Sequence, residues 1–266
     1  MKIGFIGLGN MASAMIGGIL KKNLYSPEDL IGADKSEEAV KRAAETFHIH
    51  TTTDNIEVAE AADVLILAVK PQFFEGMIAE IKGAVGEDKL VISIAPGKTM
   101  EWLMDHFGKE MKLVRCMPNT PALVGEGCTG FCTYSMVTEE EQETARKILE
   151  SFGKAYPVPE NLMDTVVGVS GSSPAYVFMF IEALADAAVR CGMPRSQAYT
   201  YAAQTVYGSA GMVLESGKHP AVLKDMVCSP AGTTIEGVAA LEKNNFRNAV
   251  IEAVTAACER STALGK

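Results

Sequence analysis

Two clusters in this chain have the residue types and spacing to do chemistry. The first is Gly7-Leu8-Gly9-Asn10-Met11-Ala12, a G-x-G-x-x-A turn. Gly7 permits a tight turn, Gly9 lets a pyrophosphate approach the backbone, and Ala12 keeps a following helix close to a sheet. The second is Ser229-Pro230-Ala231-Gly232-Thr233-Thr234. It sets hydroxyls and backbone N–H groups at the expected start of a helix, where the positive dipole end favours an anion. Ordinary N-capping is the plain alternative, but a cap needs one hydroxyl. Ser170-Gly171-Ser172-Ser173-Pro174-Ala175-Tyr176 reads the same way, as a polar helix start.

The surrounding elements decide between a chance turn and a site. Lys2 to Ile6 is a short apolar strand that runs into the glycine turn, and Met11 to Lys22 is helix-compatible. Leu30 to Ala33 is a second strand and ends at Asp34. Strand, glycine turn, helix, strand and acid make the βαβ unit that binds a dinucleotide. Asp34 suits a ribose 2′-hydroxyl and hence NADH, whereas Lys35 and Ser36 suit a 2′-phosphate and hence NADPH.

Further apolar runs at 64–69, 90–94 and 112–116 suit strands covered on both faces of a parallel sheet. Segments 127–135 and 155–158 are expected as edge strands, with helices at 36–47, 71–84, 99–107 and 138–151. Ligands bind beyond the carboxyl ends of such strands. Val69-Lys70-Pro71, Ala95-Pro96 and Asn119-Thr120 fall there, and Asn119 and Thr120 are the side chains expected to meet a nicotinamide.

Pro157 and Pro159 mark a boundary. Residues 1–158 read as the dinucleotide-binding domain. Residues 159–266 read as helices only: 160–168, 174–191, 195–215, 219–227, 232–243 and 245–262. Helix 174–191 is apolar on several faces, and these helices are expected to form a dimerisation surface as well as a core. The uncharged run Ser196–Leu214 contains Gln and Gly residues, so it reads as a buried soluble helix and not a membrane span.

Composition narrows the function classes. Hydrophobic residues make up 48% of 266, which supports a large core, and a net charge of −9 argues against nucleic acid or an anionic membrane as partner. The six cysteines form no C-x-x-C pair and the four histidines are scattered, so no metal site is expected. Reduced, mostly buried cysteines and a first strand that begins at Lys2 point to a cytoplasmic protein. Ser170 lacks a nucleophile-elbow setting, and His219 reads as a surface or helix-cap residue.

These segments together resemble the pyrroline-5-carboxylate reductase family. The resemblance covers essentially the whole chain. It rests on Ile6 to Met11, Ala68 to Pro71, Arg115 to Ala122, Ser170 to Tyr176 and Ser229 to Thr234. Two positions depart from the family's usual pattern: Ser173 and Ala231 stand where glycine is common.

The resemblance implies an α/β fold: an N-terminal Rossmann-type parallel-sheet domain, then an all-helical domain that interlocks with a second subunit. The dimers often build larger rings such as decamers, with the active site between one chain's cofactor domain and helices of the dimer. It further implies reduction of 1-pyrroline-5-carboxylate to L-proline by NADPH, or by NADH, without a metal. Thr234 is then the catalytic residue at the imine nitrogen, with Ser229, Gly232, Thr233 and Thr234 holding the substrate. Gly7, Gly9, Asn10, Met11, Asp34, Lys35, Ser36, Val69, Lys70, Pro71, Ala95, Pro96, Asn119 and Thr120 serve the cofactor. A protonated imine already accepts hydride readily, so positioning and electrostatics suffice. The rivals are a β-hydroxyacid dehydrogenase, which needs a lysine that the helix from Tyr176 to Arg190 lacks, and a non-catalytic dinucleotide sensor.

Overall fold

The structure is a computed structural model and describes residues 1–265. Residues 1–172 and 256–265 group as one compact unit, and residues 173–255 as another. In the first unit, β1 (Ile3–Ile6), β2 (Leu30–Ala33), β4 (Val64–Leu67) and β5 (Leu90–Ser93) are buried at every residue. These are the continuous apolar runs of the sequence, covered on both faces as expected. With β3 (His50–Thr52), β6 (Lys112–Met117), β7 (Gly127–Thr133) and β8 (Gly153–Pro157) they form one eight-stranded sheet of order β3-β2-β1-β4-β5-β6-β7-β8. All neighbours are parallel except β6 and β7.

Alternation along each strand builds two cores. Ile3, Phe5, Val64, Ile66, Leu90 and Ile92 face α1 (Asn10–Lys21), α2 (Glu37–Phe47) and α6 (Glu139–Glu150). Ile6, Leu65, Leu67 and Val91 face α3 (Asn55–Ala61), α4 (Phe74–Ile81) and α5 (Met100–Phe107). The sheet reverses its strand order at β1, so the β1–β4 crevice is its topological switch point.

Three expectations for this unit need correction. Segment 127–135 is no edge strand: β7 lies between β6 and β8, because Gly127–Phe131 pair in parallel with Gly153–Pro157. The edges are β3 and β8. The expected elements omit β3 and α3, since His-Thr-Thr shows no apolar run and seven residues show little helical period. The helix expected at 71–84 is a 3-10 turn, Pro71–Phe73, followed by the shorter α4.

The helical half begins with α7 (Met163–Val166) and a π-helical turn, Val167–Gly171. Then come α8 (Ser173–Arg190), α9 (Arg195–Ser216), α10 (Pro220–Val227), α11 (Thr233–Lys243) and α12 (Phe246–Leu264). Ser170–Tyr176 therefore contains the start of α8 at Ser173, but that start follows directly on the π-helical turn. Glu160–Arg190 is one helical run, and its amides are used within it: Ser172 N–H donates to the Val167 carbonyl, and the Ser170 hydroxyl donates to the Val166 carbonyl. By length and composition this run is also apolar enough to cross a membrane, with a mean hydropathy of 1.3.

Within residues 173–255 the buried core is small. Ala185, Ala198 and Ala202 form it, so α8 and α9 meet through alanines. Most of Ser196–Leu214 is exposed, contrary to the expectation of a buried helix, and so are Phe178, Met179, Tyr201, Tyr207 and Leu214.

Candidate active site

Local geometry bears out the need for glycine in the first cluster. Gly7 has φ +99°, and a Cβ there would sit 2.7 Å from the Ala68 carbonyl. Gly9 differs: its backbone is extended, and a Cβ would meet nothing within 4 Å. A side chain at Gly9 thus projects into open space that a bound group can fill. Gly9 is also the N-cap of α1 and supplies no capping side chain, so the first-turn amides of Asn10, Met11 and Ala12 are left for an anion. The Leu8 peptide is clamped at both ends, its N–H donating to Asp34 Oδ2 (2.8 Å) and its carbonyl accepting from Arg42 (3.3 Å).

Beside this turn lies a cavity of about 450 Å³. It brings together Gly7, Gly9, Asp34, Lys35, Val69 and Lys70 from the ends of β1, β2 and β4. These residues fit a dinucleotide: glycines that would let a pyrophosphate approach the backbone, and charged side chains that could meet its polar groups. Asn55, Gly76, Met77 and Glu80 also line it and escape a sequence reading. Gly76, Met77 and Glu80 sit at i, i+1 and i+4 of α4, a helix that was expected although its cavity-facing residues were not, whereas Asn55 opens α3, which was not expected. Asn10, Met11, Ser36, Pro71, Ala95, Pro96, Asn119 and Thr120 do not line the cavity.

Several of these residues have evident local duties. Ser36 N-caps α2, accepting from Ala39 N–H at 3.3 Å, and its own N–H donates to Asp34 Oδ1. Pro71 starts the 3-10 turn after β4. Ala95 is buried, and Gly97 just after Pro96 packs on Leu264 at the end of α12. Asn119 is buried too: its amide donates to the Ser170 carbonyl (3.0 Å), and its Oδ1 accepts from Cys128 N–H (2.8 Å). Pro174 explains the first bond. It has no N–H to give the carbonyl four residues back, and Asn119 takes that place. Thr120 is exposed at the start of a 3-10 turn.

The second cluster folds as a tight corner before α11. Ala231 has φ +55°, in the left-handed region. Gly232 donates its N–H to the Ser229 carbonyl at 3.1 Å, and a Cβ on it would collide with Ser229 Oγ. Gly232 is the N-cap of α11, with no side-chain cap. The hydroxyls of Ser229, Thr233 and Thr234 make no hydrogen bond among the described residues, so none is spent on capping. Three hydroxyls and the uncapped amides of a helix start are thus gathered around one corner.

All six cysteines are free, and no group of metal-binding side chains occurs among the described residues. Only Cys116 and Cys132 are buried, and Cys191 is exposed, so the expectation of mostly buried thiols does not hold for the single chain. Burial pushes the Cys116 thiol well up, and pushes Cys132 up to about 11 with help from Glu160. Neither is a nucleophile at neutral pH. His219 caps α10 through Nδ1, as the sequence suggested.

Comparison with known proteins agrees with both halves. Residues 2–97 match the family model described as NADP oxidoreductase coenzyme F420-dependent, and residues 160–264 match that for pyrroline-5-carboxylate reductase dimerisation. The chain is 49% identical to the pyrroline-5-carboxylate reductase of Escherichia coli, covering 100% of this chain and 98% of the relative. It is 45% identical to that of Methanosarcina acetivorans over the same shares. The Plasmodium falciparum pyrroline carboxylate reductase crystallised with NADP bound superposes with a TM-score of 0.92 at 37% identity, covering 100% of this chain and 98% of that one.

Proposed function

Because the chain belongs to the pyrroline-5-carboxylate reductase family, we propose that Gly7–Ala12 and the cavity beside it hold the cofactor and that Ser229–Thr234 holds the substrate. The function is reduction of 1-pyrroline-5-carboxylate to L-proline by hydride transfer from NAD(P)H. When bound, the reduced nicotinamide supplies the hydride. The chain supplies position and electrostatics. The Thr234 hydroxyl bonds the imine nitrogen, and Ser229 with the amides of Thr233 and Thr234 holds the carboxylate. The observation that carries this assignment is the corner itself: hydroxyls without partners among the described residues beside an uncapped helix start, where a substrate anion finds donors already oriented. The α8 sequence contains no lysine, which disfavours hydroxyacid dehydrogenase chemistry.

We favour NADPH as the donor. Lys35 lines the cavity, where it can face a 2′-phosphate, with Ser36 next to it in sequence, and the relative from Plasmodium falciparum was crystallised with NADP. We place the functional boundary at 158/159, a reading that the start of the dimerisation family match at residue 160 supports. The exposed apolar faces of the helical half are covered by another copy of the chain, as a dimer and then a larger ring such as a decamer. The cytoplasm is the proposed location, and the reaction calls on no metal.

The test is turnover of pyrroline-5-carboxylate with each reduced cofactor. The expected result is a higher kcat/KM with NADPH. A higher value with NADH reassigns the choice to Asp34, and turnover with neither overturns the substrate assignment.

A further inference from the structure

The wall of the cofactor cavity contains a charged contact that neither the turn nor the substrate corner requires. Glu80 on α4 lines the cavity with Asp34, Lys35 and Asn55. Both of its carboxylate oxygens are held. Oε1 accepts from Lys35 Nζ at 2.8 Å, and Oε2 accepts from the buried Asn55 amide at 2.9 Å. The Glu80 side chain is 29% exposed against 66% for Lys35, so the carboxylate is the fixed member of the pair and the ammonium the mobile one. Asp34 is committed as well, to the N–H groups of Leu8 and Ser36. The cavity lining therefore holds two anchored carboxylates, Asp34 and Glu80, and two lysines, of which Lys35 is paired with Glu80 and Lys70 is the other.

A 2′-phosphate brings a charge of about −1.5 to −2 to such a place. To bind Lys35 it must draw the ammonium away from Glu80, and it then lies close to an anion that Asn55 keeps from retreating. A 2′-hydroxyl meets no such opposition and can donate to a carboxylate. We infer that Glu80 is a specificity-determining residue of the cofactor cavity: it holds the Lys35 ammonium and opposes a 2′-phosphate, which narrows the preference for NADPH over NADH. This inference rests on the reading that Lys35 faces the 2′-phosphate.

The test uses two nucleotide fragments that differ only in that phosphate, 2′,5′-ADP and 5′-AMP, titrated calorimetrically against the full-length protein. The readout is the ratio of their affinities, which a merely structural change moves little because both fragments use the same adenosine site. Glu80→Gln keeps an acceptor for Asn55 and removes the charge. It should raise the ratio in favour of 2′,5′-ADP by about tenfold, the scale of one charge interaction in a partly exposed site. Glu80→Ala also removes the charge and should move the ratio the same way. Lys35→Ala should lower it. A fall with Lys35→Ala but no rise with either Glu80 variant overturns the role of Glu80 and leaves the Lys35 reading intact. An unchanged ratio with Lys35→Ala overturns both.

Discussion

At the scale of single residues, the glycines and one alanine make separable predictions. A Cβ at Gly9 meets no protein atom, so Gly9→Val should leave the melting temperature close to wild type while cofactor affinity, followed by NADPH fluorescence, falls severely. Unchanged affinity in that folded variant would remove the turn as the cofactor site. At Ala231 the strain is in the backbone: a non-glycine residue at φ +55° pays a steric penalty that glycine does not. Ala231→Gly should stabilise the protein by about 0.5–1 kcal/mol in denaturant titrations at fixed protein concentration, part of the relief being offset by a freer unfolded chain. Loss of stability would show that the corner does not need the left-handed conformation. On the proposed assignment, Thr234→Ala removes a hydrogen bond aimed at the reacting centre. It should cost roughly tenfold to a hundredfold in kcat/KM. Ser229→Ala should mainly raise KM, because a carboxylate contact is made in both ground and transition states. Wild-type kinetics for Thr234→Ala would remove its assigned role. Both clusters were legible in the sequence because glycine and hydroxyl spacing is local information. The duties of Asn119 and Ser36 were not, since each depends on a partner that only the fold supplies.

At the scale of elements, the buried runs announced their strands, and short polar elements stayed hidden. β3 and α3 carry too few apolar residues to show a period, yet α3 brings Asn55 to the cavity. Segment 127–135 read as an edge, because nothing in it tells that β8 will pair on its far side. The serine-rich segment before Tyr176 read as a helix start because Ser and Pro favour such starts. In the structure the π-helical turn keeps the helical run going, and Asn119 takes the carbonyl that Pro174 leaves without a donor. That contact can be tested. Asn119→Ala leaves the part-buried Ser170 carbonyl and the Cys128 N–H without this partner, and should cost about 1–3 kcal/mol of stability by chemical denaturation. A cost below about 0.5 kcal/mol would show that the bridge is dispensable.

At the scale of the whole molecule, the two halves differ in how they are held. The sheet has buried cores on both faces, while residues 173–255 bury little beyond three alanines and expose Phe178, Met179, Tyr201, Tyr207 and Leu214. A helical half of that kind is completed by association, as its match to a dimerisation family implies. Met179→Glu should therefore shift the protein toward monomer in sedimentation velocity, and an unchanged distribution would place the interface elsewhere. The central claim is hydride transfer to the imine carbon of pyrroline-5-carboxylate. Its most direct test is to supply reduced cofactor carrying deuterium at the transferable position of the nicotinamide and to analyse the product by NMR. The expected product is L-proline with one deuterium per molecule, on the ring carbon that lies across the nitrogen from the carboxylate-bearing carbon. Formation of no proline, or of proline without deuterium at that carbon, would contradict it.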